Sequence, residues 1–141
     1  LVEGGFELLG HRLKLEDIDV PLIAIGCETD HIAPWKDSYR GVRMMGSADK
    51  TFVMTQSGHI AGIVNPPSKG KYGHYTNDNL SLDHEDWLEG AKFQEGSWWP
   101  RWGAWLENRS DGKVDARIPG EKGRDTLGDA PGTYVVRKAR G

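Results

Sequence analysis

Two residues stand where chemistry could be done. Asp30 follows the apolar run VPLIAIGC at 20–27, and His59 follows the apolar run TFVMT at 51–55. A carboxylate can fix the tautomer of an imidazole and stabilise its cation, and an imidazole held in that way can take the proton of a hydroxyl or thiol. In open parallel sheets ligands bind outside the carboxyl ends of the strands, so adjacent parallel strands would bring Asp30 and His59 together. The two lie 29 residues apart, enough for one crossover helix. The same pattern also fits an aspartate that caps a loop and a hydrogen-bonded core histidine, so spacing alone leaves the choice open.

The elements that must position this pair are short. VPLIAIGC is nearly continuous in apolar and β-branched residues, as a strand buried on both faces is. After Pro34, Trp35, Tyr39 and Val42 recur on one helical face, and the helix should end near Gly46. TFVMT is the second strand, which makes a strand, helix, strand crossover of the α/β class the natural reading. From Ile60 to Leu82 the chain carries Gly62, Pro66, Pro67, Gly70 and Gly73 with no sustained period, which predicts a long ordered loop. In it Asn65, Pro66 and Pro67 should stiffen the segment that holds His59. Tyr72, His74, Tyr75 and Asn77 fit a packed loop better than site-facing roles. Asp83 can cap a helix bearing Trp87, Leu88 and Ala91, and Ser97 another in which Trp98, Trp102 and Trp105 share a face. That tryptophan stripe reads as a helix docking face rather than a platform for polymer or sugar. Residues 108–132 are charged and rich in glycine, so an irregular or mobile segment is expected.

Composition narrows the class. The 141 residues carry 18 basic and 21 acidic side chains, a net charge of −3 with no cationic block that could follow a phosphate backbone, so nucleic acid is not an expected partner. No apolar run approaches the ~20 residues of a membrane helix. A single cysteine, Cys27, rules out an internal disulfide framework and suits a reducing compartment, so a soluble cytoplasmic protein is expected.

A nucleophile is the missing third member. The order acid then histidine is that of an α/β-hydrolase triad, in which the nucleophile precedes both on a G-x-S-x-G elbow or its cysteine counterpart. No such pentad occurs, since Ser47, Ser57 and Ser97 lack the flanking glycines and Cys27 lies within the first strand. Cys27 fits a small buried apolar residue better than a nucleophile. If the chain serves a triad, the nucleophile is expected upstream of Leu1.

Four stretches become specific together: GCETDHIAPW at 26–35, SGHIAGIVNPPSKGKYGHYTND at 57–78, GSWWPRWGAWL at 96–106 and DAPGTYVVRKAR at 129–140. In this order they resemble the C-terminal part of a class I polyhydroxyalkanoate synthase, and the resemblance covers nearly the whole chain. It implies an α/β fold that is the C-terminal portion of an α/β-hydrolase-like domain, the end of a parallel sheet with flanking helices and long loops. It assigns the family's catalytic aspartate, in D-H-I-x-P-W, to Asp30 and its histidine, in S-G-H-I-A-G, to His59; the family's cysteine box has no counterpart here. His31, beside Asp30, is a candidate for substrate contact.

The implied reaction is polymerisation of (R)-3-hydroxyacyl-CoA with release of coenzyme A, which is part of the substrate, so no cofactor is expected. The implied partners are the acyl-CoA, the growing polyester chain, a second copy in a full-length homodimer, and the surface of a cytoplasmic polymer granule. The chain alone should be inactive. Other readings of the same residues are the C-terminal part of a polyester depolymerase or esterase, and a noncatalytic tryptophan-rich module that binds polymer.

Overall fold

A computed structural model describes residues 5–138 apart from 119, 124, 126 and 127. The motif at 129–140 and the segment at 108–132 therefore fall partly outside the described residues. The chain divides into two units, one up to Arg109 and one from Ser110.

The first unit begins with an exposed hairpin, β1 (Phe6–Leu8) and β2 (His11–Leu13). Its turn residues Leu9 and Gly10 have φ of 52° and 78°, the left-handed pair that matches the twist of a two-residue hairpin. Next come β3 (Leu22–Cys27), α1 (Trp35–Met44) and β4 (Lys50–Thr55). β3 and β4 pair in parallel, Leu22 opposite Lys50 through Cys27 opposite Thr55, as the sequence predicts. Pro34 pre-sets the backbone ahead of α1, and the helix turns Trp35, Tyr39 and Val42 into the core.

Alternation on β4 divides the sheet faces. Phe52 and Met54 point to α1 and complete a buried cluster with Trp35, Tyr39, Val42 and Trp87. The rings of Tyr39, Phe52 and Trp87 lie 5.3 Å apart, pair by pair, in edge-on and tilted contacts. Trp87 comes from α2 (His84–Glu89), whose N-terminus Asp83 caps by accepting from the Glu85 and Asp86 amides at 2.9 and 3.0 Å. Leu88 packs against the cluster from within the helix, and Ala91 does so from beyond its end.

Two expectations need correction. The segment 60–82 is not a loop throughout: β5 (His74–Thr76) runs antiparallel to β4, and β6 (Lys92–Gln94) antiparallel to β5. The four-stranded sheet β3-β4-β5-β6 is therefore mixed, with parallel pairing confined to β3 and β4. Three-residue strands carry too few alternations to show a period in sequence. Gly73 gives the close approach its reason, since a Cβ there would lie 2.2 Å from the ring of Phe93 on β6.

The unit closes with α3 (Trp99–Glu107), one residue later than Ser97 as cap would place it. Ser97 Oγ still accepts the Trp99 amide at 3.1 Å. In the second unit the described residues form two single 3-10 turns, Glu121–Gly123 and Tyr134–Val136, with Tyr134, Val135 and Val136 exposed. Among the described residues no helix is long and apolar enough to cross a membrane.

Candidate active site

Parallel pairing of β3 and β4 continues past the strand ends. The Glu28 amide donates to the Thr55 carbonyl at 2.8 Å and the Thr29 amide to the Ser57 carbonyl at 3.1 Å. The two connecting loops therefore leave the sheet side by side, and the next polar side chain on each meets the other. His59 Nδ1 lies 2.8 Å from Asp30 Oδ2. Ser57, between strand and histidine, has a φ of 76°, a left-handed backbone unusual for a residue with a Cβ, and Gly58 after it lies against Thr29.

The carboxylate is fully committed. Oδ1 accepts the Ile32 and Ala33 amides, each at 2.9 Å, while Oδ2 takes the imidazole. The Ala33 amide most of all, then the His59 bond and the Ile32 amide, favour the charged form over the opposing effect of burial and hold its pKa down to about 2. Asp30 is thus ionised at any working pH. Its side chain is 6% exposed and that of His59 is 47% exposed, so the anion lies inside and the base faces outward. With Nδ1–H donated to Asp30, Nε2 carries the lone pair and is the nitrogen able to take a proton.

Other sequence candidates fall elsewhere. His31 is exposed and takes no part in the hydrogen bonds of the pair. Cys27 is 2% exposed, with its Sγ packed so closely on Gly62 that a Cβ there would stand 2.8 Å away. Burial, helped by the charge of Asp30, pushes its thiol pKa up, the wrong direction for a nucleophile.

His74 is buried with Nδ1 on the Gly96 carbonyl at 3.1 Å, and Tyr75 packs on Phe93 at 5.0 Å. Asn77 Nδ2 donates to the Trp87 carbonyl and Trp87 Nε1 to the Asn77 carbonyl, at 2.9 and 3.0 Å. These residues lock the connection rather than face the pair. Asn65 is wholly buried and donates to the Lys71 and Tyr72 carbonyls, which ties down the far end of the histidine loop.

Of the tryptophan stripe, Trp98 is buried, Trp102 is 42% exposed, and Trp105 is half-buried with the Arg109 guanidinium 4.3 Å over its ring. Trp99, outside that stripe, is missed by helical periodicity, yet its indole reaches the histidine loop: Nε1 donates to the Ile63 carbonyl at 2.9 Å. Among the described residues no group of three or more His, Cys, Asp or Glu is placed to hold a metal.

Fold and site together define an α/β unit that brings an ionised aspartate and an outward imidazole together past the ends of adjacent parallel strands. The chain matches the C-terminal part of a poly(3-hydroxyalkanoate) polymerase. It is 41% identical over 138 residues to the poly(3-hydroxyalkanoate) polymerase subunit PhaC of Rhizobium etli, a match covering 98% of this chain and 22% of that protein. It is 40% identical over 139 residues to the subunit of the same name from Cupriavidus necator, covering 98% and 23%. It is 42% identical over 141 residues to the poly(3-hydroxyalkanoate) polymerase of Methylorubrum extorquens, covering 99% and 23%. The chain thus spans less than a quarter of the length of these relatives. No family model matches it.

Proposed function

We propose that this chain supplies the acid–base half of a polyester synthase active site of the α/β-hydrolase type. Asp30 and His59 act on a cysteine carried by a part of the polymerase outside these 141 residues. The observation that carries the reading is the 2.8 Å bond between His59 Nδ1 and an aspartate held ionised, at the paired ends of two parallel strands. The names of the relatives supply the substrate class.

His59 Nε2 takes the proton of the cysteine thiol, which is mostly protonated near neutral pH, and the thiolate attacks the thioester carbonyl of a 3-hydroxyacyl-CoA. The tetrahedral intermediate collapses with cleavage of the carbon–sulfur bond to coenzyme A, and the imidazolium returns its proton to the departing thiolate. The acyl group is then a thioester of the enzyme. The 3-hydroxyl of another acyl unit is a weak nucleophile, and the same imidazole removes its proton as it attacks that thioester. An ester bond forms, the enzyme thioester breaks, and the proton passes to the cysteine sulfur. Asp30 holds the imidazole in its Nδ1–H tautomer and offsets the positive charge in both steps.

In the full-length polymerase, His59→Ala should lower release of coenzyme A from 3-hydroxybutyryl-CoA by roughly 10³-fold or more. A free-thiol assay reads it directly, and turnover within tenfold of the unaltered enzyme would show that the imidazole is not the base. Ester hydrolysis without thioester-driven chain growth by the full-length protein would move the reading to a depolymerase or esterase.

A further inference from the structure

We propose that Trp98 and Trp99 are positioning residues for His59, two indole N–H groups that fix the histidine loop from the start of α3. The inference rests on His59 being the base.

After Gly58 the loop makes two helical turns of its own, Gly62 N–H to the Gly58 carbonyl at 3.0 Å and Val64 N–H to the Ile60 carbonyl at 2.8 Å. It cannot propagate as a helix, because Pro66 and Pro67 lack amide donors. The carbonyls of Gly62 and Ile63 have no amide four residues on, where Pro66 and Pro67 stand, and the Ile63 carbonyl accepts the Asn65 amide at 3.0 Å. Trp98 Nε1 donates to the first at 3.0 Å and Trp99 Nε1 to the second at 2.9 Å, consecutive indoles on consecutive carbonyls 36 residues away. The Gly62 carbonyl also accepts Thr55 Oγ1 from the end of β4 at 3.3 Å, so both of its lone pairs are used.

The clamp is itself braced. Trp98 is 7% exposed and packs on Trp102 at 5.9 Å. Ser97 Oγ holds the Trp99 amide, and His74 holds the Gly96 carbonyl just before it. Opposite the indoles, Gly62 lies against Cys27 Sγ and the Gln56 carbonyl with no room for a Cβ. The loop is therefore fixed from α3 on one side and from the strand ends on the other, while the ring of His59 remains half exposed. An imidazole that must reach a group on another part of the protein gains nothing from Asp30 unless its own backbone is placed, and displacement of a reacting group by about 1 Å costs about 10²-fold.

The test uses the full-length polymerase with Trp98→Phe, Trp99→Phe and the double variant, which keep an aromatic ring and remove the donor. Gly62→Ala displaces the same loop from the other side. With 3-hydroxybutyryl-CoA, kcat for coenzyme A release should fall roughly 10- to 100-fold in the double variant and in Gly62→Ala, with KM within about twofold. The pH inflection for alkylation of the nucleophilic cysteine by iodoacetamide should move up toward the ordinary thiol value of about 8.5 as the imidazole loses its place. A merely structural role would lower the melting temperature without moving that inflection. If Trp98→Phe lowers the melting temperature, Trp99→Phe, whose bond lies at the surface, carries the test alone. Loss of turnover in His59→Ala together with unchanged kcat and inflection in the folded tryptophan variants would overturn the clamp alone. Retained turnover in His59→Ala would overturn the base assignment and the clamp with it.

Discussion

Asp30 divides its two oxygens between tasks, Oδ1 for the backbone of its own turn and Oδ2 for the imidazole, and that division sets what substitutions do. Asparagine can keep the carbonyl toward Ile32 and Ala33, but it then offers an N–H to Nδ1. The ring answers by moving its proton to Nε2, which removes the base. In the full-length polymerase Asp30→Asn should therefore retain its fold and lose roughly 10⁴-fold in kcat, measured as coenzyme A release. The same carboxylate has a consequence for stability. Its pKa is lowered from the ordinary 3.8 to about 2, so its contribution is fully present above the ordinary value and is lost as pH falls toward the folded one. Asp30→Asn should lower the melting temperature most at pH 7, where that contribution is whole, and flatten its fall between about pH 4 and 2, read by circular dichroism. An acid limb in activity near neutrality cannot come from Asp30.

At the level of elements, the pair depends on β3 and β4 staying in register, and the register depends on the aromatic layer beneath them. Phe52 is 1% exposed and touches Trp35, Tyr39 and Trp87, so it joins β4 to both α1 and α2. Phe52→Ala should cost about 3–5 kcal/mol by lost burial and the cavity left behind, seen as a lower urea midpoint with an unchanged slope. Gly26 has the same dependence from the other strand, since a Cβ there would stand 2.9 Å from the Phe52 ring. The helical face of Trp35, Tyr39 and Val42 was legible in sequence because ten residues hold nearly three turns of a period. β5 and β6 were not, because each has three residues and is defined by its partner.

For the molecule as a whole, β3 is the decisive strand. Its residues Leu22, Ile23, Ala24 and Ile25 are apolar on both faces, as in the middle of a parallel sheet, yet β3 is the edge of the sheet and those side chains are only half-buried. An apolar edge with free backbone groups is a template for pairing. The 141-residue chain expressed alone should self-associate, with sedimentation velocity showing material larger than a monomer. Co-expression with the remainder of the polymerase should reduce that association. A monodisperse monomer at about 100 µM would contradict it. On the proposed reading, in which the nucleophilic cysteine lies outside these 141 residues, the isolated chain should also release no coenzyme A from 3-hydroxybutyryl-CoA.

By itself the sequence determined the parallel strand pair, its crossover helix and the residues that end each strand, because these rest on local periodicity and on side-chain chemistry. It also carried the motifs that match the polymerases. Only the tertiary structure decided that Asp30 and His59 touch, that Cys27 is sealed under Gly62, and that the tryptophans reach the histidine loop through Trp98 and Trp99. Those facts are distances between residues remote in the chain, and a hydrogen bond of 2.8 Å is settled by how loops leave a sheet rather than by how many residues lie between its ends.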